Sequence, residues 1–176
     1  MTLAVCKPDA GQAKVYLSVD EALQSAFDCQ TEKKSVFLTD QQKKQIESSA
    51  KFKPPRIVYE YYCPEQPDRV AYFQTLKVRT LPATFFVIIG RDHRVEHNEI
   101  ISFREPSEYK PPQRWFKQFD GKKLEPALAV DQAIRRMSGA TLSSRASVRA
   151  ARLALASYAV LHPAANDATP ITQTTP

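Results

Sequence analysis

The chain has no long apolar run. Its 176 residues contain no stretch of about 18 apolar residues, so no segment reads as a membrane-spanning helix. It also has few cysteines. Cys6, Cys29 and Cys63 form no C-x-x-C pair, no zinc spacing and no haem-attachment run. Cys29 and Cys63 are open to two readings, a disulfide in an oxidising compartment or two free thiols, and spacing does not decide between them. His93, His97 and His162 make no metal set and read as surface residues. No glycine-rich nicotinamide-binding motif is present. No nucleic-acid motif or internal repeat is present either, so nucleic acid is not an expected partner.

What remains is an ordinary globular composition, with 43% hydrophobic and 25% charged residues. The length suits one domain with its own core. The net charge is +6, carried by scattered pairs such as Lys33-Lys34, Lys43-Lys44, Lys122-Lys123 and Arg135-Arg136. Such a balance suits an acidic partner or an anionic cofactor, but most of these residues read as solvated surface.

Residues 1–14 lack periodicity and read as a loose arm, and 15–161 as the single domain. The tail 162–176, rich in Pro, Thr and Ala, is expected to be disordered. Ser18 and Glu21 form a capping box for a helix with Ala22, Leu23, Ala26 and Phe27 on its apolar face. Thr39 and Gln42 open a second helix, which fades before Pro54-Pro55. Arg56–Tyr62, Arg69–Leu76, Ala83–Ile89 and Val95–Phe103 read as strands of an antiparallel meander, with Gly90-Arg91-Asp92-His93 as a turn. Pro111-Pro112 opens a short helix holding Trp115, Phe116 and Phe119, ended by Gly121. Asp131 to Arg136 reads as one further turn. Ser144 to Leu161 is dense in Ala, Leu and Arg and reads as a long final helix. The expected fold class is α+β, a central antiparallel sheet flanked by helices.

The segment Ser138-Gly139-Ala140-Thr141-Leu142-Ser143-Ser144 lies just before that helix. It offers four hydroxyls in seven residues. Gly139 permits a close approach or an unusual dihedral. The helix start supplies free N–H groups and a positive dipole end, which favour a phosphate. Arg135, Arg136 and Arg145 add charge nearby. The residues alone fit two readings, an ordinary helix cap and an anion site.

This run resembles the attachment motif of the FMN-binding domain family, which includes the C subunit of the sodium-translocating NADH:quinone reductase and the G subunit of the Rnf electron-transport complex. The stretches Phe103 to Tyr109 and Trp115 to Lys122 are similar to the segments that precede the family's motif. The resemblance covers roughly Tyr72 to Leu161 well, and Tyr16 to Tyr62 more loosely. It implies an FMN esterified through its phosphate to Thr141 by a flavin transferase. Ser138, Gly139, Ala140, Leu142, Ser143 and Ser144 would line the phosphate, and Glu105 and Trp115 would lie near the flavin. It further implies electron transfer between redox partner proteins or within a membrane electron-transport complex. The location would be periplasmic or otherwise extracytoplasmic. Met1 to Cys6 is too short for an export signal, so that signal is expected to be missing from this chain.

One position departs from the family pattern. Covalently flavinylated members usually carry Asp six residues before the acceptor threonine; here that residue is Arg135, and the nearest acid is Asp131. Noncovalent FMN, with Arg135 as a phosphate ligand, is the corresponding alternative. Two other functions remain open: a flavin-dependent reductase with its own substrate, and a flavin-free structural or sensory module.

Overall fold

A computed structural model describes residues 14–163. Six strands form one sheet: β1 Lys14–Val15, β2 Glu32–Phe37, β3 Ile57–Cys63, β4 Gln66–Lys77, β5 Pro82–Ile89 and β6 Val95–Phe103. Their order is β1-β6-β5-β4-β3-β2, and every neighbouring pair is antiparallel. The expected meander is β3 to β6. The helices are α1 Val19–Ala26, α2 Asp40–Ala50, α3 Gln113–Phe116 and α4 Thr141–Leu161. The fold is therefore α+β, with the long helix at the C-terminal end of the described chain.

Both short N-terminal helices begin as their sequences dictate. In α1 the Glu21 amide donates to Ser18 Oγ at 3.2 Å and the Ser18 amide to Glu21 Oε2 at 2.7 Å. In α2 the Thr39 and Gln42 side chains make the same reciprocal pair. Each box satisfies backbone donors that would otherwise be orphaned at a helix start.

The sheet is covered on both faces. Side chains alternate across a strand, so the apolar run of β5 feeds two cores at once. Phe85, Val87 and Ile89 face α2, α3 and α4, together with Tyr72, Ile46 and Leu153. Phe86 and Ile88 face α1, together with Leu23, Phe27 and Ile101. On the α1 side, Cys29 and Cys63 form a disulfide, which resolves the open reading in favour of pairing.

Several expectations need correction. β2 was not anticipated; its sequence EKKSVF is polar and mostly exposed. It is held as an edge strand by its register with β3 rather than by burial. Lys14, assigned to the loose arm, pairs with Phe103; the rest of that arm lies outside the described residues. The Asp131 turn is not helical: Val130 bridges Ile134, which is fully buried. The tail expectation falls mostly on residues outside those described, but His162 is anchored. Its Nε2 lies 2.9 Å from Glu60 Oε1, and its ring stacks on Tyr158. Glu60 is a buried carboxylate that also accepts from the Tyr72 hydroxyl at 2.7 Å. Burial opposes its ionisation, but the bonds from His162 and Tyr72 and the charges of His162 and Lys34 hold its pKa below the usual range.

Candidate functional site

Helix α4 starts at Thr141, three residues before the expected Ser144. The first intrahelical bond runs from the Ser144 amide to the Ala140 carbonyl at 3.0 Å. Ser144 is therefore inside the helix. Its Oγ donates to the Ala140 carbonyl and accepts from the Met137 amide, folding the preceding turn onto the helix. The N-cap position is Ala140, which has no side-chain oxygen, and no side chain caps this helix. The longest helix of the chain thus begins with amides that no side chain satisfies, unlike α1 and α2. The second and third of these, at Leu142 and Ser143, are the positions a capping oxygen would normally serve.

Those amides border a cavity of about 210 Å³, lined by Gly139 to Ser143 and, from other elements, by Val78, Arg79, Glu105 and Tyr109. Gly139 has φ +78°, and a Cβ added there would meet nothing within 4 Å. Of its two possible roles, the dihedral is the one the turn uses. The hydroxyls differ in availability. Ser143 is buried and donates to the Tyr109 carbonyl at 2.5 Å. Thr141 is half-buried at the cavity, and its hydroxyl has no hydrogen-bond partner among the described residues. Ser138 and Ser144 do not line the cavity.

Glu105 lines the cavity, but its carboxylate is committed. Oε1 accepts from the amides of Arg79, Thr80 and Leu81 at 3.0, 2.6 and 2.7 Å. Burial disfavours the charged form, yet the bonds from Leu81, Thr80 and Arg79 more than offset it and hold the pKa below its ordinary value. Glu105 is therefore a brace for the β4–β5 turn, which in turn supplies Val78 and Arg79 to the cavity. The other oxygen, Oε2, has only a 3.4 Å contact with the Thr80 hydroxyl.

Trp115 and Arg135 sit one step back. The Trp115 indole donates to the Arg135 carbonyl at 2.8 Å, and the Arg135 amide donates to Gln118 Oε1 at 2.9 Å. Trp115 also packs on Phe116 and Phe119. Neither residue lines the cavity. Arg135 is exposed, and Arg136 pairs with Asp131 at 3.4 Å. The α3 segment thus fixes the backbone that leads into the motif.

Sequence reasoning missed Val78 and Arg79, which reach the cavity only because β4 ends beside the start of α4. It also missed a larger groove of about 900 Å³ between α2, α4 and the 124–130 segment. Val78 and Leu142 line both spaces, so the groove adjoins the cavity. Arg145, Arg149 and Arg152 enter it from one face of α4, at helical spacing.

No family model matches the chain, and neither a curated protein nor a solved structure matches it.

Proposed function

We propose that the chain is an FMN-binding electron-transfer protein, with the flavin esterified through its phosphate to Thr141. The observation that carries this reading is the start of α4. A hydroxyl without a partner stands beside uncapped helix amides at a cavity, which gives an oxygen for the ester bond and donors for the phosphate's remaining charge. The residues fit the group in part. A cavity of about 210 Å³ is smaller than the ~300–1,000 Å³ of sites that bury a whole cofactor-sized ligand. It holds a phosphate and the start of its chain, with the remainder of the flavin outside it. Bound FMN would supply the one- or two-electron chemistry; the protein would supply attachment and orientation.

The Cys29–Cys63 disulfide agrees with an extracytoplasmic location, where thiols are oxidised. Electron donors and acceptors would be redox partner proteins or a membrane electron-transport complex.

Arg135, in place of the acid usual in the resembling family, favours a second reading, in which FMN binds without the covalent bond. Its main chain is held by Trp115 and Gln118, and its exposed side chain, which does not line the cavity, forms no ion pair among the described residues.

Co-expression with a flavin transferase in an exporting strain, followed by intact mass measurement, tests the covalent reading. The mass should rise by one FMN ester, and Thr141→Ala should abolish the rise. Covalent flavin on the Thr141→Ala protein would overturn the assignment. An unmodified protein that nonetheless binds free FMN, seen as quenched flavin fluorescence, would select the noncovalent reading. Absence of both would reject the flavin function.

A further inference from the structure

The groove between α2 and α4 has features the flavin reading does not use. Its volume, about 900 Å³, lies within the range of small-molecule sites. Phe52, Val78, Leu124, Leu128 and Leu142 give it an apolar wall. Set into that wall are five cations, Lys51, Lys77, Arg145, Arg149 and Arg152, against one acid, Glu125.

These cations are not balanced by the protein itself. Six other basic side chains, including Arg69, Arg91 and Arg136, form ion pairs with acids elsewhere in the protein. Among the described residues, none of the five in the groove does. Arg152 is saturated in another way, by the carbonyls of Ser49, Ala50, Glu125 and Leu128. Arg149 is not. Its guanidinium lies over the Phe52 ring, 5.3 Å from the centroid. Its Nε is buried and has no hydrogen-bond partner among the described residues. That atom is closed to any ligand, so what Arg149 presents to the groove is a positive charge that no acid among the described residues pairs with.

We propose that this groove is a second ligand site, which takes an amphipathic organic anion. The ligand would be a small molecule with an aromatic or branched apolar body and one carboxylate, sulfonate or similar head. The head accepts from Arg149, with Arg145 and Lys51 adding to the positive field. The body lies against Phe52, Leu128 and Leu142. A fully polar anion would leave the apolar wall unused, and a neutral apolar molecule would leave the groove's five cations facing a single acid, Glu125. Because Val78 and Leu142 line both spaces, a molecule bound here is a neighbour of whatever occupies the Thr141 cavity. The site itself does not depend on the flavin reading.

Two fluorescent probes of nearly one shape test the proposal: 8-anilinonaphthalene-1-sulfonate and its uncharged counterpart N-phenyl-1-naphthylamine. The folded protein should bind the sulfonate saturably and more tightly than the neutral probe. Arg149→Gln should weaken the sulfonate about tenfold, about 1.4 kcal/mol, and leave the neutral probe nearly unchanged. Leu142→Trp, which fills the groove, should weaken both. Should Arg149→Gln fail to fold, a salt titration of the unaltered protein takes its place, because screening should weaken the sulfonate alone. Equal loss of both probes in Arg149→Gln would overturn the proposal. So would unchanged sulfonate affinity in that variant, or salt-insensitive sulfonate binding. Competitive displacement of the sulfonate by free FMN would also overturn it, because the groove would then belong to the flavin's own site.

Discussion

The Nε of Arg152 donates to the carbonyl oxygen of Ala50 at 2.8 Å, joining positions 102 residues apart. The same guanidinium reaches the carbonyls of Ser49, Glu125 and Leu128. It therefore caps the C-terminal end of α2, where carbonyls are left over and the dipole is negative. It also ties that end to α4 and to the segment that walls the groove.

Arg152→Met should consequently be among the most damaging single changes in the chain. The apolar stem is kept, so packing changes little, while four carbonyls, those of Ala50 and Leu128 in buried contacts, lose their charged donor. A loss of about 2–4 kcal/mol is expected. A urea titration checks it through a lower midpoint at an unchanged slope. A midpoint within error of the unaltered protein would remove Arg152 from this role.

Glu105 gives a pH-dependent contribution. Its folded pKa is depressed, so it stabilises above its unfolded pKa, about 4.3. That stability is lost as pH falls through the lower folded value. Glu105→Gln should cost about 2 kcal/mol at neutral pH, with the difference from the unaltered protein shrinking in acid. Paired urea titrations at neutral and acid pH measure this. A constant difference across pH would show that the carboxylate charge is not what holds the Arg79–Leu81 amides.

At Gly139 the expected cost is purely conformational. The left-handed φ of +78° penalises any L-residue, and there is open space for a side chain. Gly139→Ala should destabilise by about 1–2 kcal/mol. A D-alanine placed there by semisynthesis should be tolerated. If the D-residue costs as much as the L-residue, the glycine is needed for space rather than for its dihedral.

The Cys29–Cys63 bridge closes a loop with a sequence separation of 34 residues. Loop-closure entropy for that length predicts a loss of about 3–4 kcal/mol when the bridge is removed. Cys29→Ser with Cys63→Ser should lower the thermal midpoint. Reductant should lower the unaltered protein to the same value and leave the double variant unmoved. A reductant effect on the double variant would show another origin.

Local patterns were legible in the sequence where the physics is local. The boxes at Ser18 and Thr39 need only four residues each, and the strand at β5 announces itself by an almost wholly apolar run. β2 was not legible, because a polar edge strand is specified by its neighbour β3. The start of α4 was read three residues late because its cap is Ala140, which carries no capping side chain, while Ser144 looks like a cap and is a helical residue. Glu105 was placed beside the site by resemblance. It does line the cavity, but only the structure shows its carboxylate spent on three amides. The groove was invisible for a different reason: Lys51, Lys77, Leu124 and Arg149 come from four separate segments, and no periodicity links them.

The anchoring of His162 to Glu60 and Tyr158 fixes the far end of α4 against the sheet. Helix α4 spans 21 residues, which at ~1.5 Å per residue sets Thr141 about 30 Å from that end. A dye, bead or electrode linker coupled to a cysteine introduced in place of Pro163 would therefore stand about 30 Å from the cavity. It would hold the protein without crowding Thr141, and the same separation provides a built-in ruler for any fluorophore seated at the start of the helix.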